Sequence, residues 1–189
     1  MNNIQADKNW RVLVVDDNRS IHHDVRKILA PANASAAALN AKEPELFGRS
    51  TDGIGETQFE VDSAYQGQEG VLRVKLNLEA ALPYAMAFVD VRMPPGWDGV
   101  ETTRRMWELD PNLQIVLCTA YSDHSWGEMG QKLGSRDGLL FLKKPYDVVE
   151  MFQMAHALTE KWGLLQQSPG KMEKLETLAT ATWSRYAKA

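Results

Sequence analysis

Five short apolar runs punctuate the chain, and a stretch of helical period follows each of them. The first run, Arg11–Val15 (RVLVV), is β-branched and stops abruptly at Asp16-Asp17. Unbroken apolarity of this kind predicts a strand buried on both faces. Residues 59–64 alternate Phe, Glu, Val, Asp and predict a second strand. Residues 86–89, 114–118 and 139–142 (MAFV, QIVLC and LLFL) predict three more. Between the strands, Ile21, Val25, Ile28 and Leu29 recur at spacings of three and four and predict a helix over 20–29, ended by Pro31. Val71, Leu72 and Leu76 predict a helix over 68–79, broken at Pro83-Tyr84. A third spans 100–109 and is stopped by Asp110-Pro111; a fourth spans 125–133, with Gly134 fitted to its C-terminal cap. Asp147 can cap the last helix, with Glu150 three residues on, and Val148, Met151, Phe152, Ala155, Leu158 and Trp162 give it an apolar face.

The order is β-α repeated five times, which predicts an α/β domain: a five-stranded parallel sheet, doubly wound, with helices on both faces. Two segments stand outside the pattern. Residues 31–57 are rich in Ala, Gly, Pro, Ser and Thr without a sustained period, and are read as an insertion between the first helix and the second strand. They connect a helix to a strand start, so they are expected outside the sheet and away from the strand ends. After Trp162, Ser168-Pro169-Gly170 is read as a break, and Met172, Leu175, Ala179, Thr182 and Tyr186 follow as a weakly amphipathic helix. The expected organisation is one domain over 1–163 and a helical tail or linker over 164–189.

Composition narrows the classes without selecting one. With 189 residues, 44% apolar and 24% charged, the chain has an ordinary globular make-up. Its one cysteine, Cys118, leaves no intrachain disulfide and no Cys-rich zinc site, and is expected in the core. The first ten residues lack the apolar core of a signal peptide, and no stretch reaches the ~18 apolar residues of a membrane span. A cytoplasmic address is expected, with no membrane contact. A net charge of −4 gives no electrostatic reason for direct DNA binding.

In parallel sheets of this kind ligands bind beyond the carboxyl ends of the strands. Those ends read Asp16-Asp17, Asp90, Thr119 and Lys144. Taken singly, an Asp at a strand end is usually a turn former or cap, a Thr structural and a Lys solvated; Asp17 or Asn18 is expected to cap the first helix in any case. Together they bring three carboxylates to one place. Like charges ~4 Å apart repel by roughly 1–4 kcal/mol, so the cluster needs counter-charge. Lys144 supplies one, and a hard divalent cation such as Mg²⁺ suits the all-oxygen ligand set. An Asp nucleophile, a cation, an ammonium and a hydroxyl are the ingredients of phosphoryl transfer.

Four motifs now resemble one family. Val-Val-Asp-Asp-Asn at 14–18, Phe-Val-Asp-Val-Arg-Met-Pro-Pro-Gly-Trp-Asp-Gly at 88–99, Thr-Ala at 119–120 and Lys-Pro at 144–145 are similar to the receiver domains of two-component response regulators, over roughly residues 10–162. The resemblance implies a flavodoxin-like, chemotaxis-regulator-like fold, with Asp90 as phosphoacceptor. It implies that Asp17, Asp90 and the backbone carbonyl of Arg92 hold Mg²⁺, with Asp16 acting largely through water. It implies that Thr119 and Lys144 contact the phosphoryl group, that Thr119 and Phe141 form the switch, and that Lys144-Pro145 is cis. Lys143 competes with Lys144, but the family lysine directly precedes the proline. Phe141 lacks the hydroxyl of the commoner Tyr, so the expected switch works by packing alone. The implied partners are a histidine kinase or phosphotransfer protein and a downstream output domain or protein. The insertion and the MPPGWDG loop look similar to receivers at the front of larger sensor kinases or cyclic-di-GMP enzymes.

Arg92 and Tyr121 lie two residues after Asp90 and Thr119, and are expected to flank the mouth of the site and shield the phosphoryl group from water. Such a protein is no enzyme beyond its own phosphorylation and dephosphorylation. Two alternatives stay open: an aspartate-nucleophile phosphatase-like enzyme, whose first strand would carry Asp-x-Asp where this one gives Asp16-Asp17-Asn18, and a phosphorylation-independent interaction module. His22 and His23 are expected as a solvated pair, His124 and His156 as surface groups, and Trp97 as partly exposed. The tail is read as a signalling linker, a homodimerising helix or a helix folded back.

Overall fold

Period-two alternation decides which side of the sheet each strand residue faces, and here it builds two cores. The computed structural model describes residues 8–30, 59–120, 131–134 and 138–186, with side chains described as far as 167. Its strands are β1 (Arg11–Val15), β2 (Glu60–Ala64), β3 (Met86–Asp90), β4 (Gln114–Thr119) and β5 (Leu139–Lys143). All pair in parallel in the order β2-β1-β3-β4-β5. Leu13, Val15, Ala87, Val89, Ile115 and Leu117 face one core; Val12, Val14, Met86, Phe88, Val116, Cys118 and Leu142 face the other.

Helices α1 (Arg19–Leu29), α2 (Gly67–Glu79), α3 (Gly99–Leu109) and α4 (Val148–Tyr186) carry the connections, and residues 131–133 are helical before β5. Val25 and Leu29 of α1 join Met151, Ala155 and Leu158 of α4 in the second core; Val74 of α2 and Met106 and Trp107 of α3 join the first. This is the flavodoxin-like doubly wound arrangement. Asn18 caps α1 by accepting from the Ser20 amide at 3.0 Å, Asp98 caps α3 through Glu101 at 2.7 Å, and Asp147 receives the amides of Val149 and Glu150 at 2.8 and 3.2 Å.

Two expectations need correction, and one helix buries a face that its apolar period does not mark. Val71, Leu72 and Leu76 give α2 its helical period, yet Leu72 and Leu76 are more than half exposed. Glycines set the buried face instead. A Cβ on Gly67 would lie 2.1 Å from the Thr102 hydroxyl, and one on Gly70 would lie 2.9 Å from Val15 and Met106. The close approach of α2 to α3 and β1 thus fixes 67, 70 and 74 as the inward stripe, which hydropathy does not mark. Ser168-Pro169-Gly170 does not interrupt the helical backbone: α4 runs through it to Tyr186. The penalties of Pro169 and Gly170 are confined to about one turn, with helical hydrogen bonds on either side. His22 is buried rather than solvated, being 2% exposed. Its spacing to Val25 and Leu29 puts it on the inward face of α1. His156 is half-buried against Trp10. The 31–57 insertion, Tyr121, His124 and residues 125–130 lie outside the described residues.

Candidate functional site

The same alternation places the site. Asp16 continues the Val12, Val14 parity, Asp90 continues Met86, Phe88, and Lys144 continues Leu142, so all three side chains leave the sheet on the α1/α4 side. The register keeps them level: Val15 pairs with Val89, Asp90 with Cys118, and Thr119 with Lys143. The Lys144 amide donates to the Thr119 carbonyl at 2.8 Å, which delivers the lysine to the strand ends. Lys144-Pro145 is cis, as is Pro94-Pro95.

Lys144 Nζ donates to Asp16 Oδ2 and to Asp90 Oδ1, both at 2.7 Å. Asp16, Asp17 and Asp90 each offer an oxygen within 4.8 Å of the other two. Asp16 and Asp90 are buried and Asp17 is exposed. Three carboxylates against one ammonium leave a local charge deficit. Burial pushes the Asp90 carboxyl up, against the hydrogen bond and charge of Lys144. Burial also acts to lower the Lys144 ammonium, but hydrogen bonds and charge from Asp16 and Asp90 outweigh it and hold the group above the ordinary lysine range. The donor set is all oxygen, clustered and under-neutralised, and so fits a hard divalent cation.

The loop after Asp90 is held close. The Arg92 amide donates to Asp90 Oδ2 at 3.3 Å, and the Gly99 amide to the Val91 carbonyl at 2.9 Å. A Cβ on Gly99 would sit 2.4 Å from the Asp90 carbonyl oxygen, so α3 can begin there only with glycine. The Arg92 side chain is exposed. Thr119 is buried at the end of β4, its hydroxyl donating to the Ala120 carbonyl at 3.1 Å. Phe141 is half-buried against the α2/α3 core. Trp97 is half-buried beneath the Arg105 guanidinium, 4.1 Å from its ring centroid. Cys118 is buried, as expected.

Sequence reasoning missed two residues at this end. One is His22, whose Nε2 lies 2.7 Å from the Asp16 carbonyl oxygen; its helical spacing was the available signal. The other is Tyr146, whose hydroxyl is buried, without a hydrogen-bond partner among the described residues, in a pocket shared with Asp16, Asp90 and Cys118. Nothing in the sequence marks it except its place after Lys144-Pro145.

Known proteins match this arrangement. The family model for the response regulator receiver domain matches residues 43–156. The sporulation initiation phosphotransferase F of Bacillus subtilis (strain 168) is 30% identical over 66 residues, 35% of this chain and 50% of that protein. The C4-dicarboxylate transport transcriptional regulatory protein DctD of Rhizobium meliloti (strain 1021) is 23% identical over 157 residues, 83% of this chain and 27% of that protein. The chain therefore spans half or less of the curated relatives it matches. Among solved structures, the signal receiver domain of an HD domain-containing protein from Pseudomonas fluorescens Pf-5 superposes with a TM-score of 0.61 at 15% identity, covering 88% of this chain and 98% of that one. The chain belongs to the response regulator receiver family. Receiver domains are phosphoacceptor switches that bind Mg²⁺ at an acidic pocket and interact with histidine kinases or phosphotransfer proteins and with output domains. No helix among the described residues is long and apolar enough to cross a membrane.

Proposed function

We propose that Asp90 is the phosphoacceptor of this receiver. The observation that carries the reading is the Lys144 ammonium bridging Asp16 and Asp90 at 2.7 Å each, at the mouth of a three-carboxylate cluster. An Asp90 carboxylate oxygen attacks the phosphorus of a phosphohistidine on a histidine kinase or phosphotransfer protein. A P–O bond forms as the P–N bond breaks, and the departing imidazole takes up a proton. Asp16, Asp17, Asp90 and the Arg92 carbonyl are the residues that would hold Mg²⁺. When bound, the ion neutralises charge that otherwise repels the anionic donor. Lys144 and Thr119 supply an ammonium and a hydroxyl for the phosphoryl oxygens.

Thr119 and Phe141 then carry the change of state to an output domain or protein, Phe141 by packing alone. Arg92 and Tyr121 restrict water at the mouth. The only chemistry in this reading is self-phosphorylation and self-dephosphorylation, in the cytoplasm. The receiver ends near residue 163, and 164–189 serve as a signalling linker or dimerising helix. The family match favours this reading over a phosphatase or a phosphorylation-independent module.

The test is incubation with acetyl phosphate and Mg²⁺ followed by intact mass. One phosphoryl group is expected on the parent protein, none in the presence of EDTA and none on Asp90→Asn. A phosphorylated Asp90→Asn protein would overturn the assignment.

A further inference from the structure

Of the three clustered acids, Asp17 is the one that local contacts leave undetermined. Asp16 is anchored at every polar atom. Its amide donates to the Ala64 carbonyl at 3.2 Å, its Oδ1 accepts from the Asn18 amide at 2.9 Å, and its Oδ2 accepts from Lys144 at 2.7 Å. Asp90 is held by Lys144 and by the Arg92 amide. The Asp17 side chain is exposed and has no hydrogen bond to another described residue. Its direction is set by the backbone that carries it, and the peptide joining it to Asp16 contains the Asp16 carbonyl.

That carbonyl is held by His22. The 2.7 Å contact requires the hydrogen to sit on Nε2, which donates to the oxygen. The ring is buried and cannot drift. Tyr65 packs on it with centroids 4.6 Å apart. The Tyr65 amide donates to Glu69 at 2.7 Å, and the Arg19 guanidinium lies 4.8 Å from the Tyr65 ring. His22 Nδ1 is buried without a hydrogen-bond partner among the described residues. A merely space-filling position would favour an apolar side chain over one that leaves a nitrogen unsatisfied. The nitrogen that is satisfied is the one on the Asp16–Asp17 peptide.

We propose that His22 is a positioning residue for cation binding: by donating to the Asp16 carbonyl it fixes the Asp16–Asp17 peptide plane and thereby aims the Asp17 carboxylate. The inference rests on the reading of Asp16, Asp17 and Asp90 as the cation site. His22 acts on affinity for the ion and leaves the phosphoacceptor itself intact. Groups that orient metal ligands from behind typically contribute about 10- to 100-fold to affinity, and an exposed site belongs at the lower end.

The probe is Mn²⁺ alone, with free ion counted by electron paramagnetic resonance, on the full chain and on three variants. In His22→Gln the amide nitrogen reaches the place of Nε2. In His22→Asn the shorter side chain does not, and His22→Leu has no donor. The expected result is Mn²⁺ affinity near that of the parent for Gln and lower by about tenfold for Asn and Leu. The Mg²⁺ concentration for half-maximal acetyl phosphate labelling should shift in parallel, with an unchanged end point at saturating Mg²⁺. Gln and Asn share polarity and differ in reach, so their contrast stands even if Leu fails to fold. Equal affinity in Gln and Asn variants overturns the proposal. A parent protein that binds no Mn²⁺ overturns the cation site itself, and the proposal with it, and is told apart because the failure precedes any substitution.

Discussion

The two ends of the sheet hold similar chemistry and differ in whether its charges and donors are matched. At the amino end, Arg11 pairs with Asp62 at 3.3 Å and also donates to the Leu82 carbonyl. The Tyr84 hydroxyl donates to Asp62 at 2.7 Å and accepts from Asn77 at 3.1 Å, while Asn77 also donates to the Arg73 carbonyl at 2.9 Å. Arg11 faces the half-buried Asp62 and, also at 3.3 Å, the exposed Glu60, whose charge water already screens, so the half-buried charges are matched one to one; burial with the adjacent Asp62 holds the Tyr84 phenol well above its ordinary range, so it stays a donor. At the carboxyl end, Asp16 and Asp90 share Lys144, and Asp17 adds a third carboxylate beside them. A matched cluster stabilises the fold and asks for nothing further. An unmatched one costs stability and gains affinity for whatever supplies the missing charge. That imbalance, rather than the presence of buried charge, separates a site from a strut.

The sharpest break in the comparison is loss of chemistry at one end only. Asp90→Asn should abolish acetyl phosphate labelling, while Arg11→Met and Tyr84→Phe should label to the parent's extent, as read by intact mass. Labelling that fails in the amino-end variants while they remain folded would erase the distinction.

Next in size is the exposure of the unmatched end to water. Arg92 cannot accept a proton, and Tyr121 is bulky and weakly polar. An Arg92→Asn, Tyr121→Glu double variant should lose its phosphoryl group about tenfold faster, equivalent to about 1.4 kcal/mol in barrier height. The measurement is phosphoprotein remaining with time, in excess Mg²⁺, after the donor is removed. Equal rates would show that these side chains do not gate water.

Tyr84→Phe should cost about 1 kcal/mol in urea unfolding, because it removes the hydrogen bonds to Asn77 and Asp62. Tyr146→Phe, at the other end, removes a hydroxyl that has no hydrogen-bond partner among the described residues and should cost nothing or stabilise. A larger loss in Tyr146→Phe than in Tyr84→Phe would invert the comparison.

The smallest effect is a pH slope. Burial raises the Asp110 carboxyl, against the amides of Asn112 and Leu113. Its folded value lies above the unfolded one, so its contribution is full below the ordinary carboxylate range and is lost as pH rises through the folded value. Asp110→Asn does not titrate. Its stability relative to the parent should therefore improve as pH rises through and above the ordinary carboxylate range, by urea midpoints. A relative loss over that range would refute the sign.

The strands were legible to within a residue because a buried parallel strand writes its burial directly as apolarity: Arg11–Val15 was expected and found. The acids and Lys144 were legible because they interrupt those runs. Gly67 and Gly70 were not legible, since each is defined by what another element places against it; for His22 the spacing to Val25 and Leu29 marks the inward face, while its contact with the Asp16 carbonyl is marked by nothing local. The family model's match likewise begins at residue 43, beyond Asp16 and Asp17. Residues 31–57 separate those acids from the remaining strands in sequence, and the sheet brings them back into register.

By itself the sequence determined the five-strand α/β pattern, the residues that end the strands, and the parity that sends Asp16, Asp90 and Lys144 to one side. These follow from local rules: apolar continuity, period two, and caps and breakers acting within a few residues. Tertiary structure alone decided that β1 lies between β2 and β3, which sets Asp16 beside Asp90. It alone gave Lys144 two acids at equal distance, turned α2 inward on Gly67 and Gly70 rather than on Leu72 and Leu76, and set a histidine nitrogen on the Asp16 carbonyl. Those outcomes depend on distances between segments far apart in the chain, which no local pattern encodes.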